Sequence, residues 1–298
     1  MYDHLVVAVD GSDEAGRAAR HGIRFARAFD AAVTVLSVVE RAAVRLVETA
    51  GNGRRLRERS EAALADVERV AAELGHPVTT TVLEGTPAAR IGDYAAERNA
   101  DAIVVGRRGA TGLGARLLGG VTERIVHRSD VPVFVVPGET ADDGDEPDYG
   151  RVLVTTDGSE RAEAAIPHGT AIARRYGAGL HVLNVVDLQA AGGVFNAGGL
   201  ERELLDRLDA RGRDAVDRAA RRVRASAPGV TVRTAVERTT SFGGAAAGVR
   251  EYVGTAGIDL VVMSSHGRSN LRRQLLGSVA SRVLRTVDVP VLVVPREE

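Results

Sequence analysis

The chain has 298 residues, 44% hydrophobic but only 3% aromatic, enough for two domains of ordinary size with cores packed from Ala, Val and Leu. Cysteine is absent, which excludes disulfides, thiolate metal sites and a cysteine nucleophile. Lysine is absent too, so all 39 basic residues are arginine, which excludes Schiff-base, pyridoxal phosphate and P-loop lysine chemistry. With 40 acidic residues the net charge is −1, which gives no reason to expect a nucleic-acid or membrane surface, and no apolar run approaches the roughly 20 residues of a membrane span. A soluble, cytoplasmic protein is expected.

Short Val/Leu/Ile runs alternate with longer Ala/Arg/Glu-rich amphipathic stretches. In chain order, length and β-branching predict strands at Val6–Asp10, Val33–Val39, Val78–Glu84, Ile103–Gly106 and Val133–Val136. Between them, helices are predicted over Asp13–Phe29, Arg57–Leu74, Ala88–Arg98 and Gly120–Arg128, with Pro87 suited to a first helical turn. The acidic stretch Gly138–Asp148 has no apolar periodicity and reads as a linker. After it the pattern repeats. Val6–Ser12 (VVAVDGS) matches Val152–Ser159 (VLVTTDGS), with Asp10 and Asp157 147 residues apart, and Ala32–Glu40 matches Gly179–Asp187 at the same offset. Asp101–Val105 matches Asp259–Met263, and Val131–Pro137 matches Val289–Pro295, at an offset of 158. The second copy therefore holds eleven extra residues, expected within Gly192–Gly199 and Glu237–Phe242. The domains are expected at 1–138 and 149–298, joined by 139–148.

Strand runs that are apolar throughout suit a parallel sheet covered on both faces, and strands alternating with helices give two tandem doubly wound α/β units. Such sheets bind ligands at the carboxyl ends of their strands. Two segments there stand out: Gly106–Thr122 and its partner Ser264–Ala280. In each a strand ends, a Gly-containing turn follows, and nine residues later Gly119-Gly120 or Gly277-Ser278 opens a helix. Glycines let backbone approach an anion and take positive φ, and a helix N-terminus offers unpaired N–H groups. The plainer reading is a tight turn at Gly106 and Gly109, with Ser278 capping a helix. Asp10 and Asp157, each followed by Gly-Ser, read equally well as turn formers. Val38 and Val185 read as core. Arg107, Arg108, Arg268, Arg272 and Arg273 reach phosphates in one reading and are solvated surface in the other. His266 lies inside the second loop, as a phosphate donor, a pH-sensitive group or neither. The seven His show no metal-ligand spacing, and no nucleophile elbow or dinucleotide fingerprint follows a strand.

Gly-x-x-Gly, nine residues, then Gly-Ser/Thr, on the fourth strand and last helix of a five-stranded parallel unit, resembles the ATP-binding signature of the universal stress protein family. The resemblance spans nearly the whole chain, twice, and takes in the Asp-Gly-Ser turn and the closing VPV-x-VVP strand. It implies nucleotide contacts at Asp10, Val38, Gly106, Gly109, Gly119, Gly120 and Val121 in the first copy. In the second it implies Asp157, Val185, Ser264, Gly267, Gly277, Ser278 and Val279. Asp10 and Asp157 would lie near the ribose or a magnesium ion bound to the ATP (or ADP or AMP) phosphates, and Val38 and Val185 beside the adenine. Both copies depart from the signature. The first has Gly120 where a hydroxyl is expected, and the second has Ser264 in place of a glycine, a defect if positive φ or a close phosphate is needed there. Gly85-Thr86-Pro87 resembles the family's Gly-x-Pro turn, whereas the second copy has Gly243-Gly244-Ala245. The function implied is a non-catalytic, nucleotide-binding stress regulator; the alternatives are an interaction module that binds no nucleotide, or a slow ATPase. The family pairs through its last strands, so Val131–Val136 and Val289–Val294 are expected to pair within the chain, with a homodimer also possible.

Overall fold

The computed structural model describes residues 1–40, 50–109, 117–138, 149–192, 202–267 and 276–295. The chain divides into two compact units, Met1–Pro147 and Asp148–Glu298. The acidic stretch between the copies lies almost wholly outside the described residues.

In the first unit the elements are β1 (His4–Ala8), α1 (Asp13–Phe29), β2 (Ala32–Glu40), α2 (Ala50–Glu73), β3 (Val78–Gly85), α3 (Pro87–Glu97), β4 (Ala102–Gly106), α4 (Gly120–Arg128) and β5 (Val133–Val136). The strands pair in parallel in the order β3-β2-β1-β4-β5. β4 and β5 are buried along their whole length, whereas β3, at the edge, carries three threonines and is part-exposed. The Ser12 hydroxyl accepts from the Ala15 N–H and starts α1, with Asp13 and Glu14 in the first turn where a carboxylate suits the helix dipole. Pro87 occupies the first turn of α3, where its missing N–H is not needed. Tyr2, Phe25, Phe29 and Phe134 meet edge-on or tilted under the sheet, a large share of this unit's few aromatics in one cluster.

The second unit repeats the plan: β6 (Arg151–Thr155), a short α5 (Glu160–Glu163), α6 (Ala165–Tyr176), β7 (Gly179–Asp187), a short α7 (Leu188–Gly192), α8 (Arg202–Ser226), β8 (Val232–Thr239), α9 (Ala245–Ala256), β9 (Leu260–Ser264), α10 (Ser278–Thr286) and β10 (Val291–Val294). Its parallel order is β8-β7-β6-β9-β10. Strand register divides the eleven extra residues. Val33 faces Val78 as Leu180 faces Val232, so the offset has risen from 147 to 154 at the third strand, and it reaches 158 by Ala245. Seven therefore precede β8, and four form the turn Thr240–Gly243. The Gly192–Gly199 stretch lies largely outside the described residues.

One exchange between the copies was not visible in sequence. The buried positions Ala63, Leu64, Val67 and Ala71 of α2 recur as Ala215, Val216, Ala219 and Val223 of α8. In that alignment Arg57 corresponds to Asp209 and Glu61 to Arg213; by strand register Glu84 corresponds to Arg238. Arg57 pairs with both Glu61 (3.3 Å) and Glu84 (3.1 Å). Asp209 pairs with both Arg213 (3.5 Å) and Arg238. The same triad joins helix to edge strand with every charge reversed.

Candidate functional site

A cavity of about 610 Å3 opens in the first unit at the carboxyl ends of β1, β2 and β4. The seven residues singled out in the first copy, Asp10, Val38, Gly106, Gly109, Gly119, Gly120 and Val121, all line it. β1 delivers Asp10, β2 delivers Val38, the β4 end delivers Gly106 and Gly109, and the N-terminus of α4 delivers the rest. α2 and α3 close the other side with Leu56, Arg59, Ser60, Pro87 and Ile91.

Asp10 is bound locally. Its Oδ1 accepts from the Ser12 N–H (3.0 Å) and hydroxyl (2.6 Å), and its Oδ2 sits where a Cβ on Gly109 would fall. The second unit reproduces this atom for atom. Asp157 Oδ1 accepts from the Ser159 N–H (2.9 Å) and hydroxyl (2.6 Å), with Oδ2 against Gly267. The second glycine of each signature thus leaves room for the carboxylate of an aspartate that follows the first strand of its unit. Positive φ is found at Gly11 and Gly158 (+78° each), inside the Asp-Gly-Ser turns, and at none of the Gly-rich loop's described glycines. That corrects the expectation that these glycines serve through left-handed backbone.

The loops close alike. Gly119 N–H donates to the Arg107 carbonyl and Gly277 N–H to the Ser265 carbonyl, both at 2.9 Å, and a Cβ on either glycine would crowd that turn. α4 and α10 begin immediately after. Their first intrahelical bonds come from Glu123 and Ser281, which leaves the N–H groups of Gly120, Val121 and Thr122, and of Ser278, Val279 and Ala280, without an intrahelical acceptor; the first three residues line the cavity. Ser278 does not cap: Gly277 is the N-cap, and the exposed Ser278 hydroxyl makes no hydrogen bond to a described residue. Ser264, which stands where the first copy has Gly106, fits because no positive φ is needed there; its hydroxyl donates to the His266 carbonyl (2.7 Å). His266 Nδ1 in turn lies 3.0 Å from the Ser265 hydroxyl.

The arginines behave unlike either expectation. Arg107 is 2% exposed, so it is neither solvated surface nor a mobile phosphate clamp. Arg108 is held by Glu14, to which its N–H (2.9 Å) and Nε (2.8 Å) both donate. Arg268, Arg272 and Arg273 lie outside the described residues. Val38 and Val185 are part-exposed at the ends of otherwise buried strands rather than core; Val38 lines the cavity, and Val185 packs against Gly248 of α9. Sequence reasoning missed Thr122, whose buried hydroxyl donates to the Gly106 carbonyl (2.8 Å) and ties α4 to β4, and it missed Glu14. Comparison of the copies hides both, because the second has Ala280 and Arg161 there.

The second mouth is built differently at the third strand. Gly85 carries the positive φ (+143°) of the first turn, whereas in the second unit Gly244 carries it (+59°), one position later and against the Asp187 carboxylate. The four-residue turn before it is held by Gln189 Nε2 to the Thr240 carbonyl (2.7 Å) and by Arg282 Nη1 to the Phe242 and Gly243 carbonyls (3.4 and 3.1 Å). It presents Phe242 at 92% exposure.

Fold and site together define a tandem pair of doubly wound α/β units, each with a glycine-rich loop and a helix N-terminus at the carboxyl ends of its strands. The chain belongs to the universal stress protein family, whose model matches it twice, over residues 1–137 and 148–295. A universal stress protein of Methanocaldococcus jannaschii is 38% identical over 140 residues, which is 46% of this chain and 82% of that one. One from Mycolicibacterium smegmatis is 31% identical over 308 residues, covering 97% of this chain and 96% of its own. The fold matches the crystal structure of a universal stress protein from Archaeoglobus fulgidus with a TM-score of 0.74 at 20% identity, over 100% of this chain and 98% of that one. Among the described residues no helix is long and apolar enough to cross a membrane.

Proposed function

We propose that the first unit binds an adenine nucleotide, ATP with magnesium foremost and ADP or AMP as weaker forms, as a regulatory ligand rather than a substrate. The observation that carries this reading is the convergence of Asp10, Val38, Gly106, Gly109 and the N–H groups of Gly120 and Val121, which have no intrahelical acceptor, on one cavity of about 610 Å3. A volume of that size suits a drug-sized or nucleotide-sized ligand, apolar along β2 and α3 and donor-rich at α4. The phosphates belong at the α4 N-terminus, the adenine beside Val38, and the ribose or the phosphate-bound magnesium at Asp10. Among the described residues no three His, Asp or Glu side chains gather to hold a metal unaided, so the magnesium would arrive with the phosphates. Equilibrium dialysis of the full chain against radiolabelled ATP with magnesium tests the reading; no uptake at millimolar nucleotide refutes it.

For the second unit a specific observation favours a different use. The inserted turn Thr240–Gly243 is pinned at the mouth of the strands and holds Phe242 out into solvent. We propose that this unit serves as an interaction module of the same fold. Dialysis separates the two cases by stoichiometry: one nucleotide per chain supports it, and two per chain with matched affinity refutes it.

A further inference from the structure

α4 and α10 carry an arginine at the same place, Arg124 and Arg282, and the two guanidinium groups are employed differently. Arg282 is fastened to the carbonyls of Phe242 and Gly243 in the turn that only the second unit has. The first unit passes from Gly85 to Pro87 without that turn, and Arg124 makes no hydrogen bond or ion pair with a described residue. Its Nη2 reaches back along the helix to within 3.5 Å of the point where a Cβ on Gly120 would sit. That is the position at which the second unit has the Ser278 hydroxyl. The unit that lacks the hydroxyl therefore has, beside that position, a guanidinium that no described residue engages, and the unit that has the hydroxyl has its arginine tied elsewhere.

We propose that Arg124 is the donor that replaces the missing hydroxyl in the first unit's anion position, and that it makes this site selective for the phosphate-bearing form of its ligand. The assignment rests on the reading of the cavity as a nucleotide site. A hydroxyl offers one neutral donor, whereas a guanidinium offers a charged planar fork that meets phosphate oxygens in pairs. A cation folded back over the first turn of a helix also runs against the helix dipole, and an anion bound at the N-terminal N–H groups relieves that opposition. Gly120 contributes by leaving the space: a serine there would compete with the guanidinium for the same anion.

Isothermal titration calorimetry of the full chain with magnesium ATP, AMP and adenosine tests this. Arg124→Gln is expected to weaken ATP about tenfold and AMP less, with adenosine changed less than about twofold. Arg124→Lys should fall between wild type and Arg124→Gln, and adding Gly120→Ser to Arg124→Gln should recover most of the ATP affinity. Arg282→Gln serves as the matched control, leaving ATP affinity unchanged while amide exchange in residues 240–244 quickens. An ATP-to-adenosine ratio that does not move in Arg124→Gln overturns the assignment, as does a Gly120→Ser/Arg124→Gln chain no tighter for ATP than Arg124→Gln. A wild-type chain that takes up neither ATP nor adenosine overturns the nucleotide reading itself, and this assignment with it.

Discussion

Gly109→Ala tests whether an aspartate, rather than a ligand, requires glycine in the loop. The added methyl would fall on Asp10 Oδ2. To make room, Asp10 must turn away and release the two hydrogen bonds from Ser12, or the loop must shift. Either route costs about 1–3 kcal/mol by the usual values for lost hydrogen bonds to a charged group and for overpacking. Asp10 is solvent-exposed and its carboxylate can rehydrate, so the lower half of that range is expected. φ at Gly109 is not positive, so alanine carries no left-handed penalty and reduces unfolded-state entropy by a few tenths of a kcal/mol. In an Asp10→Ala background the collision is gone and Gly109→Ala should be neutral within about 0.5 kcal/mol. Urea unfolding of the four chains by far-ultraviolet circular dichroism gives the cycle, with amide exchange of peptides from residues 1–137 to assign the loss to the first unit. The same loss in both backgrounds would refute the steric argument. Gly267→Ala with Asp157→Ala repeats the test in the second unit.

Three further outcomes follow from the packing. Arg238→Ala should cost more than Glu84→Ala, because it leaves Asp209, whose side chain is 11% exposed, with only the longer contact to Arg213, whereas Arg57 and Glu84 are each 52% exposed and worth no more than about 1 kcal/mol; equal losses in chemical denaturation would contradict this. Stability should fall with acid in two separable stages. Burial, with Arg24 adding, lowers His21 from 6.5 to about 4, so the unfolded chain takes its proton first and stability declines as pH drops from about 6.5 to about 4. The hydrogen bond from Arg238, opposed by burial, holds Asp209 below the ordinary carboxylate value of 3.8, so its contribution persists above that pH and disappears beneath it. His21→Leu should flatten only the first stage in melts taken across pH. Gly169→Ala drives a methyl into the Val154 side chain of β6, deep in the core, and should destabilise the second unit by about 1–3 kcal/mol in thermal melts, with no rescue by solvent.

The sequence by itself determined the duplication, the strand and helix order and the ends of the sheet where the site lies. Each of these is local: unbroken apolar runs make covered parallel strands, Asp-Gly-Ser makes a turn and a cap, and repetition at a constant offset makes the copies visible. α1, α4 and β5 fell on their expected bounds for that reason, and the seven first-copy residues share one cavity because parallel strands deliver their carboxyl ends to one edge. Tertiary structure decided what each residue touches. Why Gly109 is glycine depends on Asp10, about a hundred residues earlier in the chain, and the burial of Arg107 and the capture of Arg108 by Glu14 are likewise contacts between distant segments. The reversed triad of Arg57 and Asp209 became visible only when register showed which strand positions correspond. The two signatures differ in sequence at Gly106 against Ser264 and at Gly120 against Ser278; in the fold they differ also by an arginine one turn along the helix, because a four-residue turn from another element holds Arg282 and no described residue holds Arg124.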